Sequence, residues 1–240
     1  EAARKRIPSD IFDSTYAAVF ASATGGFITY EEIRDASKDY AMIIDPNKDL
    51  YLGGDFAGED TLSRDVDLTV LYGVQTYEQK GEKRGKLVYY KEFSKRTPKS
   101  EVYEEIRRLQ TNYGNIRMFA YDKVGVGDSV KNDLIDKNLL TDVQIESLTY
   151  SLPNKSEVYY NLKHLFEQRL LDMPINELNV LKEQLMGLRF KKTQGGHMGN
   201  PTIMIHHASE KLHDDHADAF ANACYAAMRL ISPAVSLKII

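Results

Sequence analysis

The chain contains no tryptophan and one cysteine, Cys224, in 240 residues. A single thiol forms no internal disulfide and builds no multi-cysteine zinc site, so the fold must rest on its core, which suits a reducing compartment. Long apolar runs are missing as well. Nothing approaches the roughly 18 residues of a membrane helix, and no secretory leader pattern is present, so a soluble, intracellular protein is expected. Charge of one sign does not dominate: Lys+Arg 31 against Asp+Glu 35 gives −4. That balance excludes nucleic-acid binding by bulk positive charge alone, while leaving a local basic groove open. There is no G-x-x-x-x-G-K-[ST] anywhere in the sequence, hence no phosphate-cradling ATPase loop.

The remaining composition, 42% hydrophobic and 28% charged, is that of a globular chain able to bury a sizeable core. Residues 1–48 carry short amphipathic patterns such as SDIFDSTYAAVFAS and TYEEIRDASKDY around the turn signal TGGF. They read as a linker or tail preceding a domain over 49–240. From Asp49 the texture changes. DLYLGGDFA, VDLTVLYGVQTY and LVYYKEFS are β-branched and aromatic runs, the last two joined by the hairpin connection EQKGEKRG, as strands require. KSEVYEEIRRLQTNYG predicts a helix closed by Gly114, NIRMFAYD a buried strand, DSVKNDLIDKN a helix, and VQIESLTYS another strand. NKSEVYYNLKHLFEQRLLDMP and residues 175–187 predict two helices, and RFKKTQGGHMGNPTIMIHH a hairpin with a Gly-rich tip. A late helix follows, in which Ala217, Phe220, Ala221, Cys224, Ala227, Met228 and Ile231 recur at helical spacing, so one face must pack on a core. Antiparallel strands followed by alternating helices and strands predict an α/β fold with a mixed sheet.

Aspartates punctuate these elements. Asp55 ends the first strand after two glycines, Asp122 ends NIRMFAYD, and Asp214, Asp215 and Asp218 crowd the first turn of the late helix. Each alone has a plain structural explanation, as a turn cap or as an anion favoured by a helix macrodipole. Together they demand more, because an acid at an apolar strand end must be paired or hold a cation. Carboxylates brought together also raise one another's pKa unless a divalent ion neutralises them. Oxygen-only donors suit Mg²⁺ or Mn²⁺, and two ions roughly 3.5–4 Å apart support phosphodiester hydrolysis. His213 and Lys123 are candidates for an outer contact to metal or phosphate. Arg189, Lys191 and Lys192 on the hairpin arms, with Lys155, are candidate phosphate contacts; an ordinary edge hairpin with a solvated rim is the plain alternative for the first three, and a surface ion pair for Lys155. His197, His206 and His207 lack the cysteines and spacing of a zinc site.

DLYLGGDFAGEDTLSRDVDLTVLYGV, MFAYDKVGVGDSVKNDL and KLHDDHADAFANACYAA, in this order and spacing, resemble the nuclease domain of large terminase subunits, the DNA-packaging motors of tailed phages and related archaeal viruses or proviruses. NKSEVYYNLKHLFEQRLLDMPINELNVLKEQL resembles that family's passage before its final acidic motif, and FDSTYAAVFASATGGFITYEEI its exit from the ATPase half. The resemblance implies an RNase H-like fold, a central five-stranded mixed sheet flanked by helices, with an auxiliary hairpin. It also implies a metal-dependent endonuclease that cuts double-stranded viral concatemers with two ions. By position Asp55 would be the first-strand ligand, Asp122 the fourth-strand ligand, and the late helix would supply the third. Asp215 is the first choice there, with Asp218 and Asp214 close behind, while Asp67 is read as structural. The partners implied are duplex DNA, the portal protein, the small terminase subunit and the procapsid in the host cytoplasm, with no membrane. The absent phosphate loop then implies a nuclease domain without translocation. Two other readings use the same residues. One is a different RNase H-like nuclease, of Holliday-junction resolvase or transposase type; the other is a catalytically idle DNA-binding or assembly module whose acids hold salt bridges.

Overall fold

Branched and aromatic residues over 50–92 build three consecutive strands, β2 (Leu50–Asp55), β3 (Val70–Gln79) and β4 (Glu82–Glu92). The computed structural model that shows them describes residues 26–57, 68–124, 126, 128–193, 202–207 and 214–231. Before them lie α1 (Tyr30–Ala36) and the two-residue β1 (Ser37–Lys38). After them come α2 (Lys99–Tyr113), β5 (Ile116–Asp122), α3 (Ser129–Asp136), β6 (Ile145–Leu148) and α4 (Leu152–Glu167). β7 (Leu171–Pro174), α5 (Asn179–Gly187), β8 (Leu188–Thr193), β9 (Thr202–His207) and α6 (Asp215–Ile231) complete the order.

The β3–β4 connection is the hairpin that EQKGEKRG predicts: Lys80 and Gly81 both have positive φ, 54° and 80°, the pairing a two-residue type I′ turn needs. Gly114, at φ 63°, ends α2 by donating its N–H to Gln110 O, the left-handed stop expected of that glycine.

One sheet runs in the order β1-β7-β4-β3-β2-β5-β6, and β8-β9 form a separate ribbon. β2, β3 and β4 are antiparallel neighbours, while β5 and then β6 add in parallel on the other side of β2. The central five-stranded mixed sheet that the resemblance implies corresponds to the run β4-β3-β2-β5-β6. Beyond β4 the parallel strands β7 and β1 extend it to seven. β7 corrects one expectation, since LDMP reads as the end of the preceding helix but leaves it at Glu167 and pairs as a strand. α5 is likewise shorter than its pattern, beginning at Asn179.

Period-two alternation sorts the side chains between two cores. Tyr51, Tyr72, Val74 and Ala120 face the layer that contains α4 and α6, while Leu52, Leu71, Phe119 and Tyr121 face α2 and α3. On the first face α6 lies directly on β2. A Cβ placed on Gly53 would sit 2.1 Å from Ala223 N and 2.2 Å from Ala219 O, so only glycine permits this approach. Small residues on both partners bring the helix backbone onto the strand that ends in Asp55.

Described residues of the expected linker or tail segment, 26–48, pack on the rest of the fold. Phe27, Ile28, Ile33 and Ala36 are buried in the α4–α6 core, and β1 pairs with β7. Lys163 of α4 donates to both carboxylate oxygens of Glu32 at 2.8 and 3.0 Å, while Glu32 also closes a capping box with Thr29. The patterns at 10–22 lie outside the described residues.

Candidate metal centre

The parallel pairing of β2 with β5 puts their carboxyl ends side by side, Gly54 level with Tyr121, so Asp55 and Asp122 emerge from adjacent strands. Both belong to the alternation that faces α6. The start of α6 is carried over this edge, because Asn222 donates to Gly54 O at 3.0 Å and Asp218 stands one helical turn before Asn222. Asp214, Asp215 and Asp218 thereby face Asp55. Burial, then Asp218, Asp215 and Asp214 in that order, push the Asp55 carboxyl well above the usual range, against the opposing effect of Lys155.

Each acid has distinct surroundings. Asp122 Oδ1 accepts the backbone amides of Val124 (3.0 Å) and Tyr150 (3.2 Å); burial nevertheless raises its pKa, with Asp214 adding to the rise. Asp215 is buried and one of its oxygens accepts Leu68 N at 2.9 Å. Asp214 and Asp218 share the ammonium of Lys155, at 2.8 and 2.9 Å. Asp218 also accepts the hydroxyl of Tyr159. Burial first, and Asp214 next among the raising effects, bring Asp218 to about 7 even though Lys155 and Tyr159 oppose the rise. Burial lowers the Lys155 pKa, but Asp218 and Asp214 more than offset it, so the net shift is upward and the group stays protonated.

Lys155 is thus placed differently from its sequence reading. It sits inside the acid cluster, 22% exposed, instead of standing on a phosphate-binding rim. Arg189 is also diverted: one guanidinium nitrogen donates to Met186 O (2.7 Å), in the last turn of α5, and to Leu188 O (2.8 Å), which also accepts Phe27 N at 3.0 Å. Lys123 pairs with Asp128 at 3.5 Å. His213, Asp67, Gly125, Gly127 and His197 lie outside the described residues, as do the side chains of Lys191, Lys192, His206 and His207.

Three contributors escaped the sequence reading. Tyr150 donates its hydroxyl to Asn222 Oδ1 at 2.6 Å, so Asn222 links the β6–α4 connection to β2. Tyr159 holds Asp218. The available signal was Asn222 itself, a polar residue four positions after Asp218 in an alanine-rich face. His216, between the acids, is buried with Nδ1 3.0 Å from Tyr72 OH and Nε2 3.3 Å from Glu92, and Gln184 accepts Ala217 N at 2.9 Å. These contacts fix the first turn of α6.

The donor set fits a divalent cation chemically. Five carboxylates with mutual repulsion gather around Lys155, an excess of negative charge that such an ion would neutralise, and oxygen donors suit Mg²⁺ or Mn²⁺. Among the described residues no group of three Asp, Glu, His or Cys side chains is already arranged to hold a metal. Asp218 is turned to Lys155 and Tyr159, and Asp215 to Leu68 N, so loading requires these side chains to rotate.

No protein-family model matches the sequence, and no curated protein matches it. Solved structures do share the fold. The Thermus phage P74-26 large terminase nuclease domain aligns with a TM-score of 0.57 at 15% identity, covering 82% of this chain and 93% of that one. The HK97 bacteriophage large terminase aligns with a TM-score of 0.60 at 14% identity over 85% of this chain; the chain spans 44% of that protein. At these identities the likeness shows a common α/β fold, the RNase H-like architecture expected from the sequence. No described helix is long and apolar enough to cross a membrane.

Proposed function

We propose that the chain is a metal-dependent endonuclease of the large-terminase type, cutting double-stranded viral DNA concatemers during genome packaging. The observation that carries this reading is the convergence of Asp55, Asp122 and the α6 acids at one end of the sheet, on a fold shared with terminase nuclease domains. Asp55 and Asp122 are the strand-borne ligands. From α6, Asp218 affects Asp55 most strongly, with Asp215 and Asp214 beside it. Two Mg²⁺ or Mn²⁺ ions bound by these residues would activate water and stabilise the leaving oxygen of a phosphodiester. Lys155 holds Asp214 and Asp218 in register, and Asn222 fixes the helix that carries them against Gly54. Tyr150 and Val124 amides orient Asp122. In this reading the partners are duplex DNA and, in the packaging machine, the portal protein, small terminase subunit and procapsid in the host cytoplasm.

A catalytically idle module is the second reading, favoured by the Lys155 ion pairs that already engage two of the acids. Incubation with supercoiled plasmid separates the two. The nuclease cuts with Mn²⁺ or Mg²⁺, is silenced by EDTA, and loses activity in Asp55→Asn and Asp122→Asn. An idle module leaves the plasmid intact, and its melting temperature does not respond to Mn²⁺.

A further inference from the structure

One exposed basic feature lies at the acid end of the sheet without belonging to the acid cluster. Asp55 is level with Val70, and Val70 with Glu92, so β4 ends about 10 Å, two strand spacings, from Asp55. The chain then turns at once. Thr97 N donates to Ser94 O at 3.0 Å, and the Ser94 and Thr97 hydroxyls meet at 2.9 Å. The turn is rooted next to the segment that follows Asp55: Phe93 N donates to Thr69 O at 2.9 Å, and Ala57 N to Thr69 Oγ1 at 3.0 Å.

The two tip positions are Lys95 and Arg96, both exposed. Arg96 has φ 67°, at the turn position that glycine or asparagine fills with least strain. Neither side chain enters an ion pair among the described residues. By contrast the nearby Lys91 is held by Glu105 at 2.7 Å. Two cations with no counter-ion among the described residues, on a strained and hydrogen-bonded turn beside an acid cluster, suit a polyanion that the acids alone would repel.

We propose that the Ser94–Thr97 turn grips the phosphate backbone of a DNA duplex laid across the acid end of the sheet, with Lys95 and Arg96 as the contacts. This rests on the nuclease reading and adds where its substrate is held. The contacts are to phosphate, so they position the duplex without reading sequence.

The test is anisotropy of a short labelled duplex with the 240-residue chain in EDTA, at several salt concentrations, beside thermal melts. Lys95→Ala and Arg96→Gly should each weaken binding about tenfold near ~0.1 M salt and lower the slope of log K against log[salt] by about one. Arg96→Gly should melt no lower than the parent, because glycine relieves the positive φ, so its binding loss cannot be misfolding. Lys80→Ala and Lys83→Ala, at the opposite end of the β3–β4 ladder, should bind like the parent. Unchanged binding in the turn variants, or equal losses at Lys80 and Lys83, overturns the proposal. If the parent still cuts plasmid with Mn²⁺ in that case, the nuclease reading survives; a parent that neither binds nor cuts takes both down.

Discussion

Asn222 donates its amide to the carbonyl of Gly54 at 3.0 Å, on the residue immediately before Asp55. Its Oδ1 simultaneously accepts Tyr150 OH at 2.6 Å, and Tyr150's own amide binds Asp122. One fully buried side chain therefore connects the two strand-end acids to the helix that bears the other three. Asn222→Ala should lower stability by about 2 kcal/mol, since it strands a buried carbonyl and a buried hydroxyl, and should reduce metal-dependent cutting in protein that remains folded. Urea unfolding alongside plasmid cleavage checks both effects.

Gly53→Val tests the close approach beneath the site. The added carbons would enter α6 backbone at Ala219 and Ala223, which cannot withdraw without moving the acids. A loss of about 3 kcal/mol or more is expected, in the range of severe overpacking. Gly114→Ala, whose Cβ meets nothing closer than 3.8 Å but sits at positive φ, should cost less, about 1 kcal/mol.

The metal-free protein should have a stability maximum on the acid side of neutrality. Asp218 has a folded pKa of about 7, above its ordinary 3.8, so the folded state holds its proton more tightly than the unfolded chain. Stability from this group is greatest below about 4 and falls as pH rises through 7. Glu105 has the opposite sign: burial opposes its ionisation, but Arg108, Lys91 and Tyr89 hold it at about 2 against 4.5. Its contribution is present above 4.5 and is lost as pH falls toward 2. Urea unfolding in EDTA across this range should show both limbs, and Asp218→Asn should flatten the alkaline one alone.

Lys155→Met removes the ammonium between Asp214 and Asp218. The metal-free protein should lose roughly 3 kcal/mol, as when one partner of a largely buried ion pair is deleted. Saturating Mn²⁺ should then raise the melting temperature of the variant more than that of the parent, because the ion supplies the missing positive charge. An equal response in both proteins would mean that lysine and metal act independently.

The acids were legible in the sequence because strand ends and helix starts are local signals, and Asp55, Asp122 and Asp214–Asp218 all sit at such boundaries. The five long-range strands were legible from composition and turn residues. What escaped notice depends on distance along the chain. Lys155 resembles a surface lysine until Asp214 and Asp218 arrive from 59 and 63 residues away. Glu32 looks like one acid of a tail helix until Lys163 reaches it across 131 residues, and Phe27, Ile28, Ile33 and Ala36 around it join the core. β7 has four residues, LDMP, too few for period-two alternation to separate it from the helix before it. Arg189 turns one guanidinium nitrogen to the carbonyls of Met186 and Leu188, and no local pattern announces that.

The central claim is that Asp55, Asp122 and the α6 acids form one metal site. Calorimetric titration of Mn²⁺ into the parent, Asp55→Asn and Asp122→Asn tests it most directly, with melts to show that each protein is folded. Saturable binding of two Mn²⁺ by the parent, lost or sharply weakened in both variants, is the result the account predicts. Folded parent that binds no Mn²⁺, or binding unchanged by either substitution, would contradict it.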